Sequence, residues 1–257
     1  MKKHKILLYN VEYCEGMKGR FLEYLKFWRT FHAPAEITSS LVNMIKSFSP
    51  EVLGLIEVDS GSVRSGGQSI CRRLSRELGM KGYFEHVKYG ERSWKKLLHY
   101  VPILNKQSNA LLALHPFEET KVEFVRCGVK QAVLCAKVRL GGRDVLFYLV
   151  HLSLSAAARK KQLLDLAHII EFGRGNYPVV LMGDFNTFGG ADELDIFLKI
   201  TGLDLFSRFP TQPAFRPTRQ LDYILTSRDI EILEYASLPV QYSDHLPVMM
   251  EFVFRDS

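Results

Sequence analysis

The 257-residue sequence has no apolar run approaching the roughly 20 residues that a membrane-spanning helix needs. Its four cysteines lie far apart and form no C-x-x-C pair, which argues against a zinc cluster and favours free thiols over disulfides. The apolar run that follows the basic residues at the start ends at Tyr9-Asn10, too early for a signal peptide. These absences predict a cytoplasmic protein without a transmembrane segment.

Low-complexity tracts, repeats of fixed period and Pro/Ser-rich linkers are also missing, so we predict one domain over residues 1–257. What is present is an ordinary globular balance, with 47% apolar and 24% charged residues. The formal net charge of +6 favours anionic partners, among them nucleic acid, phospholipid headgroups and phosphorylated small molecules. The charge does not choose among these partners, and no oligomeric state follows from it.

Short apolar runs bounded by turn residues recur along the chain, which predicts strands buried in a core. They cover residues 5–10, 52–57, 109–114, 132–138, 145–151, 179–184, 221–226 and 246–254. Apolar residues at helical spacing predict helices over residues 36–48, 68–78, 156–172 and 191–200. Ser155 stands where an N-terminal cap is expected, and Gly202 lies near the end of the last helix. Strands mixed with helices favour a layered α/β domain.

Polar and charged side chains stand at one end of five of these apolar runs. They are Asn10 and Glu12, Glu57, His151, Asp184 and Asn186, and the pair Asp244-His245 before the last run. Each has an ordinary explanation by itself, such as a turn or a solvated strand end. Neighbouring strand ends converge, however, and a desolvated cluster of carboxylates repels itself unless a cation lies among them. Together these residues therefore predict a cation site.

The ligand types indicate which cation and which nucleophile to expect. Asp, Glu and Asn offer hard oxygen donors, which suit Mg²⁺, with Mn²⁺ as a substitute. The sequence contains neither a phosphate-binding G-x-x-x-x-G-K-[ST] loop nor a G-x-S-x-G nucleophile turn. Water is therefore the remaining candidate nucleophile.

Six motifs in sequence order resemble those of the endonuclease/exonuclease/phosphatase superfamily. They are Y-N-V-E at 9–12, I-E-V-D at 56–59, H-L-S at 151–153, G-D-F-N-T at 183–187, L-D-Y-I at 221–224 and S-D-H-L-P at 243–247. They span nearly the whole chain, and the pattern is similar to bacterial relatives of the deoxyribonuclease I and sphingomyelinase-like branch. The resemblance implies a four-layer α-β-β-α sandwich of two mixed, mainly antiparallel sheets. It also implies a magnesium-dependent hydrolase of phosphate esters with its site at one end of the sheets.

The resemblance assigns roles to four residues around the metal. Glu57 resembles the principal magnesium ligand, and Asp244 resembles a residue beside the metal. Asn10 and Glu12 are similar to residues that complete the metal and phosphate environment. One position departs from the pattern, because many relatives carry Gln before the ligating Glu and this chain carries Ile56.

A second group of residues is implied in the chemistry itself. Asp184 resembles the carboxylate that orients or deprotonates the attacking water, and Asn186 positions the same region. His245 is similar to the imidazole that contacts the phosphate, held by Asp222, and His151 matches a second histidine of the branch. A carboxylate partner raises the pKa of an imidazole and keeps it cationic, as charge on phosphate oxygens requires. An NMR titration that shows His245 neutral at pH 6 would contradict this expectation.

Three stretches bear on substrate choice. Asn109 resembles a site-lining Asn of bacterial relatives, with a turn residue as the alternative. Arg64 follows the Glu57 strand closely enough to reach a substrate phosphate, and a solvated loop arginine is the alternative. Residues 83–104 are predicted to form a loop with basic and aromatic side chains, which suits base stacking, insertion into a lipid surface, or simple packing over the core.

Three functions are consistent with the sequence. The first is a magnesium phosphodiesterase acting on a small or lipid-linked phosphoester, with peripheral lipid contact. The second is an endonuclease or DNA-repair nuclease, for which nucleic acid would be the partner. The third is a binding module that has lost catalysis, and the full set of expected catalytic side chains argues against it. We favour the first over the second because the segment 83–104 resembles no duplex-binding element.

Overall fold

The computed structural model describes residues 2–12, 35–62, 65–87, 106–128, 132–206 and 208–255. The strands are β1 (His4–Asn10), β2 (Val52–Asp59), β3 (Gly82–Val87), β4 (Gln107–Ala113), β5 (Phe117–Phe124), β6 (Ala132–Leu140), β7 (Arg143–His151), β8 (Val179–Asp184), β9 (Asp222–Thr226), β10 (Ile230–Ser237) and β11 (Val248–Phe254). The helices are α1 (Ala35–Phe48), α2 (Ile70–Leu78), α3 (Ala156–Gly173) and α4 (Asp195–Thr201), with a short 3₁₀ helix at Ala191–Leu194. Every predicted strand is present, with its bounds shifted by no more than two residues.

The strands form two sheets that are mainly antiparallel. The first sheet has the order β10-β11-β1-β2-β4-β3, and the second has the order β5-β6-β7-β8-β9. Each sheet contains one parallel pair, β1 with β2 and β7 with β8. The remaining neighbours are antiparallel, so both sheets are mixed, as the sequence predicts.

Apolar side chains on both faces of each sheet produce four layers. Successive residues of a strand point to opposite faces. Along β1, Ile6 and Leu8 belong to the core between the sheets, whereas Leu7 packs with Leu41 of α1 on the outer face. The second sheet repeats this arrangement, because its outer face packs against α3 and α4. The predicted four-layer α-β-β-α sandwich is therefore confirmed, and none of the helices in the described ranges has the length and apolarity to span a bilayer.

The helix ends follow the capping signals in the sequence. The Ser155 side chain accepts a hydrogen bond from the backbone N–H of Ala158 and begins α3, as predicted. Gly202 takes the left-handed conformation that ends α4. The helix predicted over residues 191–200 is divided, because its first turn is the 3₁₀ helix and α4 begins only at Asp195.

Three strands that the sequence patterns did not predict lie at sheet edges. These are β3 and β10 in the first sheet and β5 in the second. An edge strand is only half covered, so it needs no continuous apolar run, and β5 exposes most of its side chains. The prediction of a loop over residues 83–104 is wrong for residues 83–87, which belong to β3. Residues 88–104 lie outside the described ranges.

Gly183 is required by the close approach of the parallel strands β7 and β8. It lies opposite Val150, and a Cβ there would meet the Val150 carbonyl oxygen at 2.3 Å. Gly183→Ala should therefore lower the free energy of unfolding by about 1–3 kcal/mol, measured by urea denaturation. Gly54→Ala is the matched control, because its Cβ would meet the flexible end of Met182 and the core can adjust. Equal decreases in the free energy of unfolding for the two variants would show that the Val150 carbonyl does not require glycine at position 183.

Candidate active site

The strand pairing of the second sheet places three predicted residues in one row at the same end. His151 at the end of β7 pairs with Asp184 at the end of β8. Asp184 in turn pairs with Asp222 at the start of the antiparallel strand β9. From the first sheet, Asn10 at the end of β1 reaches this row, because its Nδ2 donates a hydrogen bond to Asp184 Oδ2 at 3.0 Å. All four side chains are buried.

His245 and Asp222 form a buried pair at this end of the molecule. The distance from His245 Nδ1 to Asp222 Oδ2 is 2.7 Å, and the His245 backbone N–H donates to Ser243 Oγ. Burial by itself would lower the pKa of His245, but the nearby carboxylates of Asp222, Asp184 and Asp244 hold that pKa well above its usual value. The shift has the direction expected from the sequence.

Thr211 is a contributor that the sequence did not reveal. Its hydroxyl donates to Asp222 Oδ2 at 2.7 Å and accepts from the backbone N–H of Leu221 at 3.2 Å. These bonds fix the Asp222 carboxylate against His245. The other oxygen, Asp222 Oδ1, is buried without a hydrogen-bond partner among the described residues. A lone threonine in a polar loop carries no pattern that could have indicated this contact.

Asn186 holds Asp184 from the other side. The Asn186 backbone N–H donates to Asp184 Oδ1 at 2.9 Å, and its side-chain Nδ2 donates to the carbonyl of Leu152 at 2.9 Å. The residue has φ of 52°, a left-handed conformation that Asn tolerates better than most residues. Asparagine therefore serves both the turn and the hydrogen bonds that join it to the loop after β7.

Glu57 reaches toward the row from β2, where the strand is irregular. The pairing with β4 shifts register between Leu55 and Val58, and Glu57 has φ of 56°. Its backbone N–H donates to the side chain of the buried Asn109 at 3.2 Å. The Glu57 carboxylate lies 3.7 Å from His151 Nδ1, and His151 Nε2 lies 3.5 Å from Asp184 Oδ2. His151 thus joins the two sheets at the site.

Glu12 and Asp244 lie together beside Asn10. The Asp244 backbone N–H donates to Glu12 Oε2 at 3.3 Å, and the Glu12 backbone N–H donates to Asn10 Oδ1 at 3.2 Å. Gln212 Nε2 donates to Asp244 Oδ2 at 3.4 Å. Gln212 Oε1 is buried and has no hydrogen-bond partner in the part of the chain that is described. The sequence analysis did not identify Gln212.

A chain of these contacts connects ten of the predicted site residues. They are Asn10, Glu12, Glu57, Asn109, His151, Asp184, Asn186, Asp222, Asp244 and His245. Asn109 lies in β4 and not in a turn, and its side chain accepts the hydrogen bond from the Glu57 backbone N–H. Arg64 lies outside the described residues. Five carboxylates this close require protons or a cation to offset their repulsion.

Arg159 connects the loop that follows His151 with the loop that follows Asn186. Its side chain is almost fully buried in α3 and donates to the carbonyl oxygens of Ser153 and Leu154 at 2.9 and 3.1 Å. It also donates to Glu193 Oε2 at 2.8 Å, and the other oxygen of Glu193 accepts from the Gly189 N–H at 2.7 Å. The helical pattern placed an arginine in α3 without indicating that it faces inward.

Comparisons of the sequence agree with this arrangement. The family model described as "Endonuclease/Exonuclease/phosphatase family" matches residues 8–245. A search of curated protein sequences finds no relative that matches the chain.

The solved structures that are similar to this one include the following three. An endonuclease/exonuclease/phosphatase from Beutenbergia cavernae has a TM-score of 0.74 at 18% identity, over 99% of this chain and 72% of that one. The human Nocturnin catalytic domain with bound sulfate has a TM-score of 0.71 at 19% identity, over 98% and 94%. The mannosyl-6-phosphatase of Bacteroides thetaiotaomicron has a TM-score of 0.72 at 16% identity, over 98% and 100%. These identities show a shared fold, and the family match over residues 8–245 shows that the chain belongs to the endonuclease/exonuclease/phosphatase family and is a hydrolase of phosphate esters.

Proposed function

We propose that the protein is a Mg²⁺-dependent phosphodiesterase that uses water to cleave a small or lipid-linked phosphoester. The observation that carries the proposal is the convergence of Glu57, His151 and Asp184 from both sheets within hydrogen-bond or ion-pair reach of one another. Residues as far apart in the sequence as Asn10 and His245 contribute side chains to the same end of the sandwich. A cytoplasmic location, the single domain and Mg²⁺ rather than Mn²⁺ stay predictions.

The oxygen-rich side of the site suits the metal. Glu57, Glu12, Asn10 and Asp244 would hold it, because their carboxylate and amide oxygens are the donors that Mg²⁺ prefers. The buried oxygen of Gln212 beside Asp244 adds an acceptor that lacks a partner among the described residues. Bound Mg²⁺ would act there as a Lewis acid that stabilises negative charge on phosphate oxygens.

A second group could also surround a cation. One ligand atom each from Asp184, Asp222 and His245 lie within 4.8 Å of one another. This group includes an imidazole nitrogen, and His245 Nδ1 is already engaged by Asp222 at 2.7 Å. The donors on the Glu57 side are all oxygens, so we assign Mg²⁺ to that side and the second group to the reacting phosphate.

Asp184 is the residue best placed to handle the attacking water. Its carboxylate is oriented by Asn10 on one oxygen and by the Asn186 backbone on the other. Such a carboxylate would orient the water and accept its proton as the new P–O bond forms. The ester P–O bond then breaks, and the leaving oxygen takes up a proton.

His245 would stabilise the charge that develops on the phosphate. Asp222 and Thr211 hold the imidazole in place, and the surrounding carboxylates favour its cationic form. A positive group fixed in a buried site costs little reorganisation as charge develops, which is why such groups lower the barrier. His151 would assist from the other side, next to Asp184.

An activity panel tests the proposal. Purified protein is assayed with Mg²⁺, Mn²⁺ or excess chelator, and the Asp184→Asn variant serves as the blank. The substrates are bis-(4-nitrophenyl) phosphate, 4-nitrophenyl phosphate, sphingomyelin, phosphoinositides, and single-stranded, duplex and abasic DNA. We expect metal-dependent cleavage of the small or lipid-linked diesters and its loss in chelator. Exclusive cleavage of DNA would support the nuclease alternative, and activity that survives the chelator would refute the metal mechanism.

A further inference from the structure

A pocket adjoins the catalytic end on the outer side of the second sheet. Its volume is about 420 Å³, within the range of small-molecule sites. The loop after Asn186, including Thr187 and Phe188, forms one wall. The segment before Asp222, including Arg208, Arg219 and Gln220, forms the other wall.

The pocket floor is tied directly to the catalytic residues. Thr187 follows Asn186 in the chain, and its hydroxyl donates to the Gln220 carbonyl at 3.2 Å. Gln220 Nε2 donates to the backbone carbonyl of Asp222 at 3.5 Å. Gln220 and Asp222 are two residues apart in the chain, so their Cα atoms lie within about 7 Å of each other. This is a separation that one substrate molecule can bridge.

The charges that line the pocket are all positive. Its described lining contains Arg208 and Arg219 and no acidic side chain. The Arg219 guanidinium lies over the Phe188 ring at 5.6 Å, and it has no carboxylate partner in the described part of the chain. Arg208 pairs with Asp192 at 3.2 Å, but both side chains are mostly exposed, 63% and 80%, so solvent weakens that pair.

The two arginines have the chemistry of a phosphate site. A guanidinium presents several N–H donors in one plane and binds phosphate through two of them at once. The Phe188 ring lies 5.6 Å from the Arg219 guanidinium carbon, a distance at which the ring attracts the cation and favours its position at the pocket wall. Phe188 itself is 43% exposed, which keeps this arrangement open to a ligand.

We propose that this pocket binds a second phosphate group of the substrate while the scissile diester occupies the catalytic end. The inference rests on the proposed phosphodiesterase function and narrows its substrate to a diester that carries another phosphate. Arg219 is the principal binding residue, Arg208 assists it, and Phe188 orients Arg219. A phosphorylated nucleotide and a phosphorylated lipid headgroup share this chemistry.

Matched substrates that differ by one remote phosphate test the pocket. One pair is thymidine 5′-(4-nitrophenyl phosphate) with and without a 3′-phosphate. The other pair is glycerophosphoinositol with and without a 4-phosphate. We expect the wild-type protein to prefer the phosphorylated member of at least one pair by about tenfold in kcat/KM. One charge-assisted hydrogen bond contributes a binding free energy that corresponds to about this factor. The pair that shows the preference identifies the source of the phosphate.

Variants then assign the preference to the pocket. Arg219→Gln should reduce the ratio of the two kcat/KM values to near one. Arg139→Gln is the matched control, because this exposed arginine pairs with Asp144 at the end of the second sheet opposite to His151. The control should keep the wild-type ratio. A wild-type ratio of one in both pairs, or an unchanged ratio in Arg219→Gln, would overturn the proposal.

Equilibrium binding separates failure of the pocket from failure of the proposed function. Calorimetry without turnover compares thymidine 3′,5′-bisphosphate with thymidine 5′-monophosphate, and inositol 1,4-bisphosphate with inositol 1-phosphate. If the wild-type protein cleaves no diester but binds the bisphosphate of at least one pair about tenfold more tightly, and Arg219→Gln abolishes the difference, the pocket stands and the phosphodiesterase proposal fails. Equal binding within both pairs would reject the pocket even in an active enzyme.

Discussion

The substitution Asp184→Asn should lower kcat/KM toward phosphodiesters by about a hundredfold to ten-thousandfold, the usual contribution of a general base. The amide has nearly the same shape as the carboxylate, and its one oxygen can still accept the hydrogen bond from the Asn186 backbone, although the Asn10 amide then faces an NH₂ group. What is lost is the negative charge that orients the water and accepts its proton. The fold should therefore persist while the chemistry stops.

The measurement is a steady-state assay at saturating Mg²⁺, with unfolding followed by circular dichroism. Asp229→Asn is the control, because Asp229 is exposed and lies at the far end of β9. That variant should keep wild-type activity. If Asp184→Asn retains more than about a tenth of the wild-type kcat/KM, Asp184 is not the base, and another carboxylate of the cluster must take that role.

The second large effect concerns stability. Arg159→Met should lower the free energy of unfolding by about 3 kcal/mol, because it removes a buried charge and leaves Glu193 and two carbonyl oxygens without their donor. Methionine has a similar length, so little cavity is created. The variant should also lower kcat, since the Arg159–Glu193 pair joins the loops that follow His151 and Asn186.

Arg208→Met is the matched control for stability. Arg208 also pairs with a carboxylate, Asp192 of the 3₁₀ helix, but both side chains are mostly exposed. Exposed pairs contribute up to about 1 kcal/mol, so this variant should unfold almost as the wild type does. Urea denaturation of the two variants side by side gives the comparison. Similar decreases in the free energy of unfolding for both variants would show that burial of the Arg159–Glu193 pair contributes nothing to stability.

Relatives with the same architecture carry different names, among them Nocturnin and a mannosyl-6-phosphatase, at TM-scores of 0.71 and 0.72. In this chain, the sandwich brings acidic and imidazole side chains together at one end of the sheets. Substrate choice depends on what surrounds that end. For this chain, the arginine-lined pocket beside Asn186 and Asp222 is the feature from which a substrate class can be argued.

Central strands were predictable from the sequence because both of their faces are buried. Such strands as β1 and β8 therefore read as continuous apolar runs. The edge strands β3, β5 and β10 have one uncovered side and mixed polarity, and the patterns did not predict them. Polar residues at the ends of the apolar runs were equally visible, because the carboxylates and histidines interrupt otherwise buried segments. Composition and local pattern were sufficient for these features.

Other features depend on contacts between residues far apart in the chain. Thr211 meets Asp222, Arg159 meets Glu193, and Glu57 takes its left-handed backbone where β2 pairs irregularly with β4. Neither Thr211 nor Arg159 has a local pattern that differs from that of an ordinary loop or helix residue, and the sequence around Glu57 does not indicate its backbone conformation. The sequence by itself determined which chemistry the chain carries and which segments form its core. The tertiary structure decided how those groups are oriented and which pocket lies beside them, because only the folded backbone brings distant residues within hydrogen-bond distance.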